Sequence, residues 1–168
     1  MDEKGRSSKA AIDSEVQPDK ATAEAEPHSR IVVGIDGSEA SINALRYAVR
    51  VATAWGVPLE AICVWAYPPF FATDPPANWW PEEEAEKTLA DVSHTVFGDT
   101  APSWFRATVN RGTPARVLLD ASESAEMLVL GSRGHGGFVG LLLGSVSTTC
   151  SQHARCPVLI VPPRESVL

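Results

Sequence analysis

The sequence predicts an α/β fold, an open five-stranded parallel sheet with helices on both faces. Continuous apolar runs of strand length alternate with helical patterns in the order β-α-β-α-β-α-β-α-β. Most runs are apolar throughout, which is typical of strands buried on both faces of a parallel sheet. The 168 residues are 44% hydrophobic and 21% charged, values expected of about one globular domain.

Four runs predict buried strands, and a fifth predicts an edge strand. The buried strands are Ile31–Ile35, residues 61–65, residues 127–130 and Val158–Val161. In residues 104–109 the side chains alternate instead, so this strand is expected to be half exposed at an edge, with Phe105, Ala107 and Val109 on one face.

Four helices are expected between the strands. Ser38 is a candidate cap for the first helix, and Pro81 followed by three glutamates opens the second. Thr113 and Pro114 are typical of the cap and first position of the third. The fourth is expected from Ser145 to about residue 154, before a Cys-Pro pair.

Residues 1–28 differ in composition from the rest. They carry seven acidic and four basic side chains and no aromatic one, so we expect a disordered acidic tail before a single domain at residues 29–168. Residues 67–80 hold four prolines and five aromatics. Their aromatics are expected either to fold back over the sheet or to form a lid or partner surface.

Composition also bears on location and partners. The chain has no apolar run of 18 residues and no apolar segment near its start, so neither a membrane span nor a signal peptide is expected. Its three cysteines are too few and too scattered for a disulfide framework, which suits the cytoplasm. A net charge of -7 without a Lys/Arg cluster argues against nucleic-acid binding.

Two segments that follow strands are candidates for a binding site. In open α/β sheets ligands bind at the carboxyl ends of the strands, where the topology switches. Asp36, Gly37 and Ser38 follow the first strand. Five glycines lie within residues 131–140, and Gly144 stands at the start of the last helix. A glycine-rich approach to a helix N-terminus favours a phosphate cradle of backbone amides.

The common phosphate motifs are absent. No lysine follows a glycine within residues 131–145, which excludes the P-loop pattern, and Val139 stands where the third glycine of G-x-G-x-x-G would be. No histidine is spaced with Cys, Asp or Glu as in a metal site. Arg133 and His135 are the basic residues of the glycine segment and are candidates for phosphate contact.

The spacing of the glycines resembles a known signature. Gly131-x-x-Gly134, nine residues and then Gly144-Ser145 is similar to the G-2x-G-9x-G(S/T) motif of ATP-binding universal stress proteins. The first strand with Asp36-Gly37-Ser38, and residues 127–134 and 156–162, also resemble that family. The resemblance covers about residues 30–163, and it implies the Rossmann-like sandwich of the adenine nucleotide alpha hydrolases.

The resemblance also implies roles for individual residues. Asp36 would hold the adenosine end, on the far side of the site from the glycine loop, and the backbone of Val64 would bind the adenine edge. Gly131 and Gly134 would let the main chain wrap the phosphates, which the first turn of the last helix would bind by amide and hydroxyl. The implied set is Ile35, Asp36, Gly37, Ser38, Val64, Gly131, Ser132, Arg133, Gly134, Gly144, Ser145, Val146 and Ser147.

The implied function is a nucleotide-dependent regulator in the stress response or in signalling. It would bind ATP, ADP or another adenine nucleotide, with magnesium carried by the nucleotide, and hydrolyse ATP slowly or not at all. A homodimer through Val158–Val161 and an unidentified protein partner are implied too. Two alternatives stay open: an enzyme of the related nucleotide-binding α/β group, whose histidine motif is missing after the first strand, and a nucleotide-free interaction protein.

Overall fold

Strands and helices alternate along the described chain as the sequence predicts. The computed structural model describes residues 30–67, 80–134 and 143–163. Its elements are β1 (Ile31–Ile35), α1 (Glu39–Trp55), β2 (Leu59–Trp65), α2 (Pro81–Phe97), β3 (Phe105–Arg111), α3 (Pro114–Ser122), β4 (Met127–Gly131), α4 (Ser145–His153) and β5 (Val158–Val161).

The five strands form one parallel sheet in the order β3-β2-β1-β4-β5. On the central strand, Val33 is in register with Ala61 of β2 and with Val129 of β4, and all three are fully buried. One core lies under α1 and α2, and a second lies under α3 and α4. The predicted α/β class with helices on both faces is therefore confirmed.

The edge position predicted for β3 is confirmed, but its alternation is not. Strand β3 pairs with β2, and none of its residues is fully buried. Phe105 and Val109 pack against the first core, and the Phe105 ring lies 4.5 Å from that of Phe97. Ala107 between them is exposed, because its methyl group is too short to reach the layer these larger side chains make.

Strand β2 begins at Leu59, two residues earlier than predicted, so that it includes Leu59 and Glu60. A charged residue obscured this start in the sequence. The Glu60 carboxylate accepts a 2.8 Å hydrogen bond from Arg30 and a 3.2 Å bond from Thr108, so its burial is compensated. Arg30 also donates to the carbonyl of Ser124 at 3.1 Å, which joins the start of β1 to the turn before β4.

The helix starts are mostly as predicted. Ser38 caps α1 by accepting from the amide of Ser41 at 3.2 Å, and Pro81 is the first residue of α2. The cap predicted at Thr113 is wrong in one respect, because Thr113 takes the N-cap position of α3 without a side-chain capping bond. Helix α4 begins at Ser145, with Gly144 at its N-cap.

The cysteines are free thiols, as the sequence suggested. Cys150 on α4 is fully buried, and burial raises the pKa of its thiol to about 11. Cys156 is partly buried, and its pKa is raised for the same main reason. The predicted tail and most of the 67–80 segment lie outside the described residues. Within the described part of the chain, no helix combines the length and hydrophobicity needed to cross a membrane.

Candidate functional site

A cavity of about 480 Å³ opens at the carboxyl edge of the sheet. It lies where β1 and β4 run side by side, with β2 beyond β1 and β5 beyond β4, which is the switch point of the strand order. The lining residues within the described chain are Gly34, Ile35, Asp36, Ser41, Ile62, Val64, Pro114, Leu118, Leu130, Gly131, Arg133, Gly134, Leu143, Gly144, Ser145, Val146 and Ser147.

One wall of the cavity is apolar. Ile62, Leu118 and Leu130 belong to the core under α3 and α4, and all three reach the cavity surface. Gly34 leaves room for them, because a Cβ at this position would lie 2.7 Å from the Leu130 side chain and 3.1 Å from that of Leu118. Such a wall suits the flat, largely apolar face of a nucleobase or a similar ring.

The backbone of Val64 presents an acceptor at this wall. The carbonyl of Trp65 accepts from the amide of Gly112 at 2.8 Å, on the β3 side. Successive residues of a strand direct their backbone groups to opposite sides, so the Val64 carbonyl faces the β1 side. The pairing of β1 with β2 ends at Ile35 and Cys63. The Val64 carbonyl therefore lies beyond the last paired residue of β1, at the cavity that Val64 lines.

The N-terminus of α4 forms the opposite end of the cavity. The first intrahelical hydrogen bond runs from the amide of Thr148 to the carbonyl of Gly144, at 2.9 Å. The amides of Ser145, Val146 and Ser147 thus have no partner within the helix, and all three residues line the cavity. Unpaired amides at a helix N-terminus, together with the positive end of the helix dipole, suit an anionic group.

The hydroxyl of Ser147 has a structural partner. It donates to the carbonyl of Gly131 at 2.6 Å, and Ser147 is buried. Because a hydroxyl carries one proton, this side chain cannot donate to a ligand while that bond lasts. Ser147 instead ties the first turn of α4 to the end of β4 and offers its amide. Ser145 is exposed and holds the hydroxyl that remains at the cavity.

Asp36 lies closer to the glycine segment than the sequence analysis expected. One carboxylate oxygen accepts from the amide of Ser38 at 3.0 Å and from its hydroxyl at 2.6 Å. The other lies against Gly134, where a Cβ would overlap it. The expectation that Asp36 sits far from the glycine loop is therefore wrong. The reason is that β1 and β4 pair in parallel, so Asp36 just after β1 lies beside the residues that follow β4.

Two glycines of the signature have different surroundings. A Cβ at Gly131 would lie 2.8 Å from the carbonyl carbon of Ala40 and 2.9 Å from the amide nitrogen of Ser41, so this glycine permits close packing of α1. A Cβ at Gly144 would approach Arg133 Cα no closer than 3.5 Å, an ordinary contact. Gly131 is thus required for the packing of α1, whereas at Gly144 there is room for a side chain.

Ten of the thirteen residues implied by the resemblance line the cavity, and three do not. Gly37 shapes the turn and Ser38 caps α1, whereas Ser132 holds the backbone together. The amide of Ser132 donates to Val161 at 2.7 Å, and its carbonyl accepts from Gly144 at 2.8 Å. Seven lining residues were not expected from the sequence: Gly34, Ser41, Ile62, Pro114, Leu118, Leu130 and Leu143. The alternation of side chains along β2 could have found Ile62, which lies two residues from Val64 and therefore on the same face of the sheet.

The charges at the cavity are few. Among the lining residues that the structure describes, Asp36 and Arg133 are the charged ones. The pKa of the Cys63 thiol is raised, by burial first and by the Asp36 charge second. In the described ranges no three His, Cys, Asp or Glu side chains are grouped so as to hold a metal ion.

Comparison with known proteins places the chain in a family. The family model described as "Universal stress protein family" matches residues 27–162. The chain belongs to the universal stress protein family. A universal stress protein of Mycolicibacterium smegmatis is 37% identical over 139 residues, covering 80% of this chain and 46% of the relative. One from Mycobacterium tuberculosis H37Rv is 34% identical over 152 residues, covering 84% and 48%. The chain spans about half the length of these relatives.

Solved universal stress proteins share the fold. UspA from Lactobacillus plantarum superposes with a TM-score of 0.64 at 21% identity, covering 80% of this chain and 97% of that one. A universal stress protein in complex with cAMP gives 0.62 at 24%, covering 83% and 100%. The Archaeoglobus fulgidus protein in complex with dAMP gives 0.59 at 23%, covering 81% and 99%. At these identities the likeness establishes the fold of the family.

Proposed function

We propose that this universal stress protein domain binds an adenine nucleotide in the cavity, with the phosphates at the N-terminus of α4. The observation that carries the proposal is the set of three amides, at Ser145, Val146 and Ser147, that line the cavity without a partner in the helix. An anion there would satisfy these donors and benefit from the helix dipole.

The apolar wall and the Val64 carbonyl support adenine as the base. A carbonyl is an acceptor, and the adenine edge carries an amino group that can donate to it, whereas the corresponding position of guanine is an acceptor. The complexes of structural relatives with cAMP and dAMP support an adenine nucleotide as well. We further propose that the nucleotide is ATP and that it carries magnesium into the site.

We expect nucleotide occupancy, rather than turnover, to be the signal in a stress-response regulator. Asp36 is the carboxylate among the described lining residues, and one of its oxygens already accepts two hydrogen bonds from Ser38. Orienting a water and stabilising the developing charge require further groups. Hydrolysis of ATP should therefore run several powers of ten below the roughly 10 per second of a median enzyme. Phosphate release under saturating magnesium-ATP measures it, and turnover near one per second would favour the enzyme alternative.

A proline at position 145 tests the phosphate site directly. Ser145 is the first residue of α4, its amide has no partner in the helix, and Gly144 has the extended conformation (φ −72°, ψ 164°) that a following proline requires. Ser145→Pro should keep the helix and delete one amide donor and one hydroxyl. Ser145→Ala is the matched control, because it deletes the hydroxyl alone.

Titration calorimetry with ATP, ADP, AMP and cAMP measures the outcome. We expect Ser145→Pro to weaken nucleotide binding about tenfold or more relative to Ser145→Ala, the effect of losing a hydrogen bond to a charged group. Equal melting temperatures of the two variants would show that the fold is kept. Equal nucleotide affinity in both variants would contradict the site, and purified protein that neither carries nor binds nucleotide would favour the nucleotide-free alternative.

A homodimer through β5 is part of the proposal. The carbonyls of Pro157 and Val161 accept from β4, at 3.0 Å from Leu128 and 2.7 Å from Ser132, so the backbone groups of Ile160 face away from the sheet. An open apolar edge favours pairing with a second copy. Ile160→Pro removes an outward amide and should shift the molecular mass measured by light scattering from dimer to monomer. A monomeric wild-type protein at micromolar concentration would contradict this assembly.

A further inference from the structure

Two opposite charges stand at the polar end of the cavity. Asp36 and Arg133 are the charged side chains among the described lining residues, and both are exposed. Their formal charges cancel, so the side chains add no net attraction for an anion. A ligand phosphate at the α4 amides would therefore be held by backbone donors. Any further phosphate would be repelled by the Asp36 carboxylate and attracted by the Arg133 guanidinium.

The backbone of Arg133 is fixed between two helix N-termini. Its carbonyl accepts a 3.4 Å hydrogen bond from the hydroxyl of Ser38, the N-cap of α1. Its Cα lies 3.5 Å from where a Cβ at Gly144, the N-cap of α4, would be. The main chain at Arg133 is thus anchored at the place where the positive ends of both helix dipoles meet. The long side chain starts from this anchored point at the cavity.

We propose that Arg133 is a specificity-determining residue that makes the cavity prefer adenine nucleotides with two or more phosphates to monophosphates, an inference that rests on the nucleotide site proposed above. The backbone amides of Ser145, Val146 and Ser147 would donate hydrogen bonds to the first phosphate. Each added phosphate brings more negative charge to an end of the cavity that already holds Asp36. Arg133 offsets that carboxylate and presents five N–H donors suited to phosphate oxygens.

The charge of Arg133 should matter for nucleotides according to their number of phosphates. With Arg133 neutralised, the cavity end beside Gly134 would lose one positive charge while Asp36 stays, so the repulsion of the ligand would grow with the number of phosphates. Binding of adenosine, which has no charge, would not change. The ratio of ATP to AMP affinity is therefore the quantity that depends on Arg133, whereas a general disturbance of the cavity would lower the affinity for every ligand alike.

The test is calorimetric titration of adenosine, AMP, ADP and ATP into the wild-type chain, Arg133→Gln and Arg133→Lys. Arg155→Gln is the matched control, because it removes the same charge from an exposed position just after the opposite end of α4. All titrations use one buffer at a fixed pH, and a chelator removes divalent cations so that the charge of the ligand follows its number of phosphates. Repeating each titration at high salt measures the screened, electrostatic part of binding.

We expect Arg133→Gln to lower the ATP-to-AMP affinity ratio about two- to fivefold, with adenosine unchanged, an effect typical of one exposed charge pair. Arg133→Lys should restore part of the ratio, and Arg155→Gln should keep the wild-type value. An unchanged ratio in Arg133→Gln, or an equal loss for all four ligands, would overturn the inference while leaving the nucleotide site intact. Wild-type protein that binds none of the four would instead refute the proposed function itself.

Discussion

Alanine substitutions at two glycines of the signature should differ clearly in their effect on stability. A Cβ at Gly131 would lie 2.8–2.9 Å from Ala40 and Ser41 at the start of α1, and two of these three atoms are backbone. The helix would have to retreat by about 0.5 Å to reach an ordinary contact distance. Overpacking of this kind costs about 1–3 kcal/mol of unfolding free energy. For a domain of this size, that lowers the melting temperature by roughly 3–10 °C.

Gly144→Ala is the matched variant. Its nearest neighbour would be Arg133 Cα at 3.5 Å, and its φ of −72° suits any L residue. Replacing a glycine at a compatible φ gains about 0.4–1 kcal/mol, because the unfolded chain loses conformational freedom. Alanine is a poorer N-cap than glycine by a similar amount, so Gly144→Ala should leave the stability nearly unchanged. Urea denaturation followed by tryptophan fluorescence measures both variants through their midpoints and slopes. A Gly131→Ala protein as stable as Gly144→Ala would refute the argument that Gly131 exists to admit α1.

Three further outcomes are expected. Ser147→Ala removes the 2.6 Å hydrogen bond to the Gly131 carbonyl, so it should lower the unfolding free energy by about 1–2 kcal/mol and weaken nucleotide binding. Ser147→Thr keeps a hydroxyl and should restore both. The same urea and calorimetric titrations measure the two variants. Deletion of residues 1–28, a segment poor in apolar side chains, should leave melting temperature and nucleotide affinity unchanged; a large fall in either would show that the tail packs on the domain. The pKa of Cys150 is raised from 9.0 to about 11 in the folded state, which therefore holds the thiol proton more tightly than the unfolded chain does. The unfolding free energy should fall as the pH rises from 9 to 11. It should fall less steeply in Cys150→Ala, measured by the same urea titrations.

The sequence predicted the layer structure well because each element carries its own signal. Continuous apolar runs predict β1, β2 and β4 as inner strands, and the strand order confirms this. The same signal is wrong for β5, which lies at the sheet edge with three of its four residues only partly buried. Glu60 shows where such a signal fails. A charged side chain interrupts the pattern at the start of β2, and its compensation by Arg30 and Thr108 depends on residues 30 and 48 positions away. No local pattern contains that pairing.

The site was predictable in outline but not in its side-chain roles. Spacing placed Gly131, Gly144 and Ser147 near one another, since all flank β4 and α4. It could not reveal that the Ser147 hydroxyl bonds to Gly131, or that the Asp36 carboxylate lies against Gly134, because both contacts depend on how closely two elements approach. A glycine needed for a ligand and a glycine needed for helix packing look identical in a sequence.

The geometry explains why a spacing of glycines and hydroxyls can identify this family. The donors at the α4 end of the cavity are backbone amides, which any residue supplies, so side chains there are needed to hold α4 at the right height above β4. Gly131 admits α1 beside the strand end, the Ser147 hydroxyl fastens α4 to it, and the Gly144 amide bonds to Ser132 across the gap. At Gly131 the signature therefore reflects the packing of α1 as well as any ligand contact, whereas Gly144 is under no such packing constraint. Selectivity among ligands must then come from residues that the packing leaves free, and Arg133, whose backbone is anchored while its side chain is exposed, is such a position.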